Sequence, residues 1–308
     1  MVSRWDDLVG NAQDPRKLVG LALVAQRSGL RDKAVSLARL ALSRSPGDAE
    51  IRALASGILS AGVPNWHFDI VRDDARNRAF EQALANCVTP EARVLDIGAG
   101  TGLLAMMAAR LGCRDVVTCE SDPAIAAAAA DVIAHNGYAG QVRVIAQRST
   151  DLDAAALDGR ADVVVAEVVA SNMLSEGILS VARDAVARLL KPGGRFIPAR
   201  GTIRVALAYR EGSPSGLGTV EGFDLSPFNA LRPALRPLSA GDARLQLRSA
   251  PGDLFHFAFA VDPPSEGEAE IALAAENGVV NGIVQWIHLD LDDAVTYENR
   301  PEPGTASN

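Results

Sequence analysis

The chain has 308 residues, of which 48% are hydrophobic and 22% charged, the make-up of a globular protein with one large domain or two to three smaller ones. A formal net charge of −8 argues against nucleic acid or an anionic membrane as partner. No stretch reaches the roughly 18 apolar residues of a membrane span, and the polar start Met1–Asp7 is not a signal peptide. Cys87, Cys113 and Cys119 are odd in number and lack metal-ligand spacing, so they read as reduced core thiols of a cytoplasmic protein.

Residues 13–62 have helical periodicity, with Leu18, Leu21, Ala22 and Ala25 on one face and Ala34, Leu37, Ala38 and Ala41 on the next. Gly29 breaks the first helix, and Ser45-Pro46-Gly47-Asp48 ends the second and caps a third. Two such helices resemble one tetratricopeptide (TPR) repeat, which cannot bury its faces alone; a helical cap on the next domain and a peptide-binding repeat are both open readings. Residues 64–88 follow, with Ile70, Ala75, Ala79 and Phe80 as an apolar face and Arg72, Asp73, Asp74, Arg76 and Arg78 as a charge run that composition alone assigns to solvent.

The most informative stretch is Arg93-Val94-Leu95-Asp96-Ile97-Gly98-Ala99-Gly100-Thr101-Gly102, followed by Leu103 and an Ala/Leu/Met run. It predicts a strand, a tight loop and a helix N-terminus. Leu103 stands where a dinucleotide fingerprint has its last glycine, so the loop suits a nucleoside better than a pyrophosphate, or is only a tight turn. Asp115–Glu120 predicts a second strand ending in an acid, 24 positions after Asp96. A carboxylate there accepts two hydrogen bonds from a ribose, or else caps a helix. Strands at Gln141–Ala146 and Ala161–Glu167 and a helix from Glu176 to Leu190 complete the alternation of a doubly wound, mostly parallel α/β sheet. From residue 199 the rhythm turns to β, with strands expected at Thr202–Ala208, Leu254–Ala260, Glu268–Leu273 and Gly282–Leu289 and an unpacked tail at Glu298–Asn308.

The loop Asp96-Ile97-Gly98-Ala99-Gly100-Thr101-Gly102 with Glu120 resembles the first two motifs of class I S-adenosylmethionine-dependent methyltransferases, with their Rossmann-like sheet. Ile70-Val71-Arg72-Asp73-Asp74-Ala75-Arg76, Glu167–Glu176 and Glu221-Gly222-Phe223-Asp224-Leu225-Ser226 are similar to segments of the protein arginine N-methyltransferase family, and the helical prefix to its divergent branch. The resemblance implies that the segment Ile70–Arg76 folds over S-adenosylmethionine, that Arg76 binds its carboxylate, and that His67 and Ile70 are among the cofactor-binding residues. It implies further that Gly98, Gly100, Thr101, Gly102 and Leu103 line the cofactor, that Glu167 and Glu176 are the paired catalytic acids, and that the product is S-adenosylhomocysteine. Ser149 and Thr150 occupy the adenine-side position, where the family has an acid. Val168 and Val169 replace the Trp-Met after the first glutamate, and the family's Thr-His-Trp loop is not found before Asn308. A sequence cut short and an acceptor site finished by other residues both remain open. The family also implies a homodimer, with residues 227–245 as a short arm.

The implied organisation is a TPR-like segment at 1–62, a cofactor domain at 63–198 and a β-barrel-like substrate and dimerisation domain at 199–308. The residues give a reason for the paired acids. Close carboxylates repel unless a cation lies between them, and guanidinium is a planar, permanently charged fork that suits two acids. Glu167 and Glu176 are therefore expected to clamp the arginine of a protein or peptide. A small cationic metabolite is the alternative acceptor, and an inactive scaffold the alternative of another class. His67 reads as a hydrogen-bonding residue rather than a base.

Overall fold

The structure is a computed structural model that describes residues 13–64, 66–212, 216–233, 235–239, 241–261, 266–276 and 278–301. The start Met1–Asp7, residues 302–308 of the tail and positions 234 and 240 of the expected arm lie outside the described residues. The chain forms two compact units. One comprises the residues up to Val71, Cys87–Val165 and Ala187–Gly194; the other comprises Arg72–Asn86, Ala166–Val186 and the chain from Arg195 onward.

The first unit opens with helices α1 (Pro15–Arg27), α2 (Arg31–Arg44) and α3 (Ala49–Ser60). Asp14 caps α1 by accepting the Arg16 N–H, and Pro15 presets the first helical φ. Asp48 caps α3 through the N–H groups of Glu50 and Ile51. Leu18, Ala22 and Ala25 of α1, Leu37, Ala38 and Ala41 of α2, and Ile51, Ala55 and Ile58 of α3 form one buried cluster. Helices of 12 to 14 residues are marginal alone, so this shared face is what stabilises them.

The chain continues through α4 (Trp66–Ile70) and α5 (Asp74–Ala85). It then enters strands β1 (Arg93–Ile97), β2 (Asp115–Cys119), β3 (Val142–Ile145), β4 (Ala161–Ala166) and β5 (Leu190–Ile197). Between them lie α6 (Leu103–Arg110), α7 (Pro123–His135) and α8 (Ile178–Arg188). The sheet order is β3-β2-β1-β4-β5, with β1 parallel to β2 from Arg93↔Asp115 to Ile97↔Cys119, and β2 parallel to β3. Strands covered on both faces read as continuous apolar runs, as Val94-Leu95 and Val163-Val164-Val165 do, all buried. The order grows outward from β1 to β3 and then returns to place β4 on the other side of β1. Such a reversal opens a crevice beyond the strands' carboxyl ends.

In the second unit β6 (Arg200–Arg210) is the central strand. After the small hairpin β7 (Thr219–Val220) and β8 (Phe223–Asp224) come β9 (Leu245–Leu247), β10 (Gly252–Ala258), β11 (Gly282–Asp290) and β12 (Thr296–Glu298). The order is β10-β6-β11-β12 with β9 also on β6, and each of these ladders is antiparallel. Ala206, Ala208, Leu245, Val284 and Trp286 form its buried cluster. Among the described residues no helix is long and apolar enough to cross a membrane.

Three expectations need correcting. Residues 268–273 form no strand; Ile271 and Leu273 lie close to Gly252 at the start of β10, but without a ladder. Glu298 belongs to β12 rather than to an unpacked tail, and accepts hydrogen bonds from Trp286 and Arg204. The charge run is not uniformly solvated, since Asp73 and Arg76 are buried while Arg72, Asp74 and Arg78 are exposed.

Gly102, the residue before α6, has φ 80°, and a Cβ placed there would lie 2.9 Å from Ile133 Cδ1. Gly102→Ala combines left-handed strain with overpacking, and should lower the unfolding free energy by about 2 kcal/mol. Denaturant unfolding checks this, and a midpoint equal to that of the parent chain would refute it.

Candidate active site

In the first unit the end of β1 and the end of β2 build a polar edge from the backbone. The N–H groups of Gly98 and Ala99 both donate to Cys119 O at 3.0 Å, which ties the glycine loop to β2. Gly98 (φ 87°) and Gly100 (φ 52°) take left-handed conformations that residues with a Cβ rarely adopt. Asp96 is fully buried and accepts the Thr118 hydroxyl at 2.8 Å. Glu120 accepts the Gly100 N–H at one oxygen (3.2 Å) and the Asp122 N–H at the other (3.0 Å), so its carboxylate plane is fixed. His67, on α4, lies in the field of Glu120 and Asp122; burial lowers its pKa and the two acids oppose that shift. Ile70 closes the same short helix, half-buried. Thr101 and Leu103 are half-buried beside Gly102. Ser149 is buried and Thr150 exposed in a single 3-10 turn, Ser149–Asp151. Arg188 holds that turn by donating to the carbonyls of Ser149, Thr150 and Leu152.

The second unit holds the acids. Glu167 is the residue after β4 and forms an ion pair with Arg76, Nη2 to Oε2. Arg76 is buried on the first turn of α5; Asp73 caps that helix by accepting the Arg76 N–H at 2.9 Å. The other Asp73 oxygen accepts the Tyr297 hydroxyl at 2.7 Å, and Arg76 Nη1 donates to Asn77 at 3.0 Å. Arg76 Nε is buried with no hydrogen-bond partner. Burial pushes the Glu167 carboxyl above the ordinary range, opposed by Arg76, and Asp73 adds to the rise. Glu176 is exposed at the surface, yet its carboxyl is raised too, by partial desolvation and then by the Glu167 charge, so the two acids sense each other. Met173, fully buried at φ 69°, anchors the loop between them. Gly201 makes room for it, since a Cβ there would stand 2.7 Å from Met173 Cε.

Sequence reasoning missed Asp73, Tyr297, Arg188 and Asp122. Asp73 and Asp122 were accessible as acids just before helices, and Asp122-Pro123 is a capping signature. Tyr297 carries no local signal, because its partner lies 224 positions away. Among the described residues no group of His, Cys, Asp and Glu could hold a metal ion. The helix expected from Glu176 begins at Ile178, which leaves Glu176 in the loop ahead of it.

The family described as ribosomal protein L11 methyltransferase (PrmA) matches residues 80–204. An arginine N(omega)-methyltransferase of Streptomyces achromogenes subsp. streptozoticus is 34% identical over 289 residues, 91% of this chain and 78% of that protein. Protein arginine N-methyltransferase 7 of Oryza sativa subsp. indica is 32% identical over 76% of this chain, which spans only 36% of that longer protein. Among solved structures, the Trypanosoma brucei PRMT1 enzyme–prozyme heterotetrameric complex with AdoHcy superposes with a TM-score of 0.69 at 20% identity. The match covers 80% of this chain and 81% of that one. Protein arginine methyltransferase 10 of Arabidopsis thaliana follows at 0.63 and 19%, over 81% and 82%. These two likenesses show the fold: a class I methyltransferase sheet.

Tyr297→Phe leaves a buried Asp73 oxygen without this donor and should cost about 1–3 kcal/mol. Denaturant unfolding would show it as a lower midpoint; an unaltered midpoint would mean that the bond adds nothing to stability.

Proposed function

The chain belongs to the arginine N-methyltransferase family, and from that premise we propose that Glu167 and Glu176 hold the guanidinium of an arginine in a protein or peptide for methylation. The protein is an enzyme, and its cofactor is S-adenosylmethionine, whose sulfonium carries an electrophilic methyl group and which leaves as S-adenosylhomocysteine. The residues suit that group. Arg76, whose buried Nε lacks a partner, supplies a cation for its carboxylate. In the same reading Glu120 takes the ribose hydroxyls, and Asp96, Gly98, Gly100, Thr101, Gly102 and Leu103 line the loop. Ser149 and Thr150 lie on the adenine side, and His67 and Ile70 cover the pocket from α4.

The observation that carries the acceptor assignment is the Arg76–Glu167 pair beside a second raised acid. Glu167 already binds one guanidinium edge, and Glu176 is an uncomfortable charge that a second guanidinium would neutralise. Held between two carboxylates, an acceptor nitrogen is fixed in direction, and such positioning supplies much of a transfer rate. Methylation releases one proton from guanidinium, and Glu176, with its raised affinity for protons, takes it.

We read residues 1–62 as a TPR-like segment, 63–198 as the cofactor domain and 199–308 as a barrel-like substrate and dimerisation domain. Buried free thiols at Cys113 and Cys119 suit a reducing, cytoplasmic compartment. The 3-10 turn Ser226–Leu231 and its surroundings leave Phe228 64%, Leu231 72% and Leu235 76% exposed, which suits an arm that a second copy covers in a homodimer. A second acceptor, free arginine or another small guanidino compound, is favoured by the Streptomyces relative, whose name specifies arginine with no protein.

Transfer of labelled methyl from S-adenosylmethionine to an arginine-containing peptide, with free arginine in parallel, tests the assignment. Glu167→Gln and Glu176→Gln should each lower turnover by at least about 100-fold while cofactor binding persists. Because both carboxyls are raised, kcat/KM should fall on acidification at a pH above the ordinary glutamate range. Near-parental turnover in both variants would sink the clamp. Transfer to free arginine alone would replace the peptide reading.

Sedimentation equilibrium tests the arm: the parent should be a dimer, and Phe228→Asp with Leu231→Asp a monomer. A monomeric parent would end the homodimer reading.

A further inference from the structure

The helical prefix is wired to the candidate ribose acid by one arginine. Arg31, the first residue of α2, donates through Nη1 and Nη2 to the carbonyls of Ile58 (2.5 Å) and Leu59 (3.1 Å), in the last turn of α3. Last-turn carbonyls have no donor within their own helix, so this cation closes α3. The same guanidinium reaches Asp122, Nε to Oδ2 at 3.2 Å and Nη2 to Oδ1 at 3.5 Å. Both partners are about three-quarters buried, with 25% and 24% of their side chains exposed, which sets the pair apart from ordinary surface bridges.

Asp122 has two further tasks. Its Oδ1 accepts the N–H groups of Ala124 and Ile125 and so caps α7. Its own N–H donates at 3.0 Å to Glu120 Oε1, while Gly100 N–H holds Glu120 Oε2. The path therefore runs from the prefix through Arg31, Asp122 and Glu120 to the glycine loop, all within the first unit. A second prefix bridge provides a contrast. Arg39 of α2 pairs with Asp131 of α7 at 2.7 Å, but more exposed, and no bond connects Asp131 to Glu120.

We propose that Arg31 is a positioning residue for the cofactor's ribose, which it orients through Asp122 and Glu120. The prefix thereby becomes part of the cofactor site instead of an appended module. The inference rests on the reading that Glu120 holds the ribose hydroxyls. Without Arg31, Asp122 loses its side-chain cation and keeps only the α7 cap to hold the amide that binds Glu120. A carboxylate free to rotate grips a diol less well, because the orientation must then be fixed on binding.

The test is calorimetry on the full chain with S-adenosylhomocysteine and with its analogue lacking both ribose hydroxyls. Arg31→Met should weaken S-adenosylhomocysteine about three- to tenfold, the size of one ordinary intramolecular hydrogen bond, and leave the analogue's affinity unchanged. Arg39→Met should change neither. Should Arg31→Met fold poorly, Asp122→Asn keeps a helix cap while removing the charge, and should give the same ribose-dependent loss. Equal losses for both ligands, or equal effects from Arg39→Met, would overturn the relay and leave Arg31 as a docking residue. Glu120→Gln separates the two levels. If it costs no affinity, the ribose reading fails; if it costs affinity while Arg31→Met does not, only the relay fails.

Discussion

The buried pairing of Arg76 with Glu167 is the constraint that the second unit answers to. Two charges out of water carry a desolvation cost of several kcal/mol each, recovered only if the remaining donors and acceptors are also satisfied. Asp73 supplies a helix cap on one side of Arg76, Asn77 takes one of its N–H groups, and Tyr297 anchors Asp73 from the last strand described. Arg76 Nε is left over. Such a network stabilises little in sum; what it does is leave one cation and two acids in fixed places with capacity to spare. On the proposed function, the residues that hold Arg76 still are also those that keep it ready to bind.

The first unit solves a complementary problem. It offers one acid oriented by backbone amides, with few side chains of its own at the loop. The loop's own amides are satisfied internally, those of Gly98 and Ala99 by the Cys119 carbonyl of the neighbouring strand and that of Gly100 by Glu120, which fixes the loop's path. Cys119 itself is a core residue whose thiol burial pushes up to about 12, so it is inert beside the acids that surround it.

Much of this was readable in the chain. Continuous apolar runs ending in Asp96 and Glu120, and the alternation with Ala-rich helices, carry the sheet, because burial on both faces leaves a signal in every residue. Glu167 and Glu176 stood out through their likeness to the paired glutamates of the arginine methyltransferase family. The strand expected over residues 268–273 shows the opposite case. Its alternating pattern fits a ladder, yet pairing is decided by a neighbour that the local sequence does not contain. Arg31 and Tyr297 were invisible for the same reason. An arginine opening a helix and a tyrosine in a three-residue strand are ordinary locally, and acquire meaning only from partners 91 and 224 positions away.

The two units are interleaved along the chain, which passes between them at 71–72, 86–87, 165–166, 186–187 and 194–195. The consequence concerns order of assembly. Asp73 and Arg76 leave the ribosome early, but the hydroxyl that anchors Asp73 belongs to Tyr297, among the last residues described. Long-range closure of this kind is slow, because loop entropy is lost before the contact stabilises anything. The glycine-loop unit can consolidate during synthesis, whereas the acid-bearing unit must wait for its carboxyl-terminal strands. Nor could either unit be exchanged with that of a relative by a single crossover.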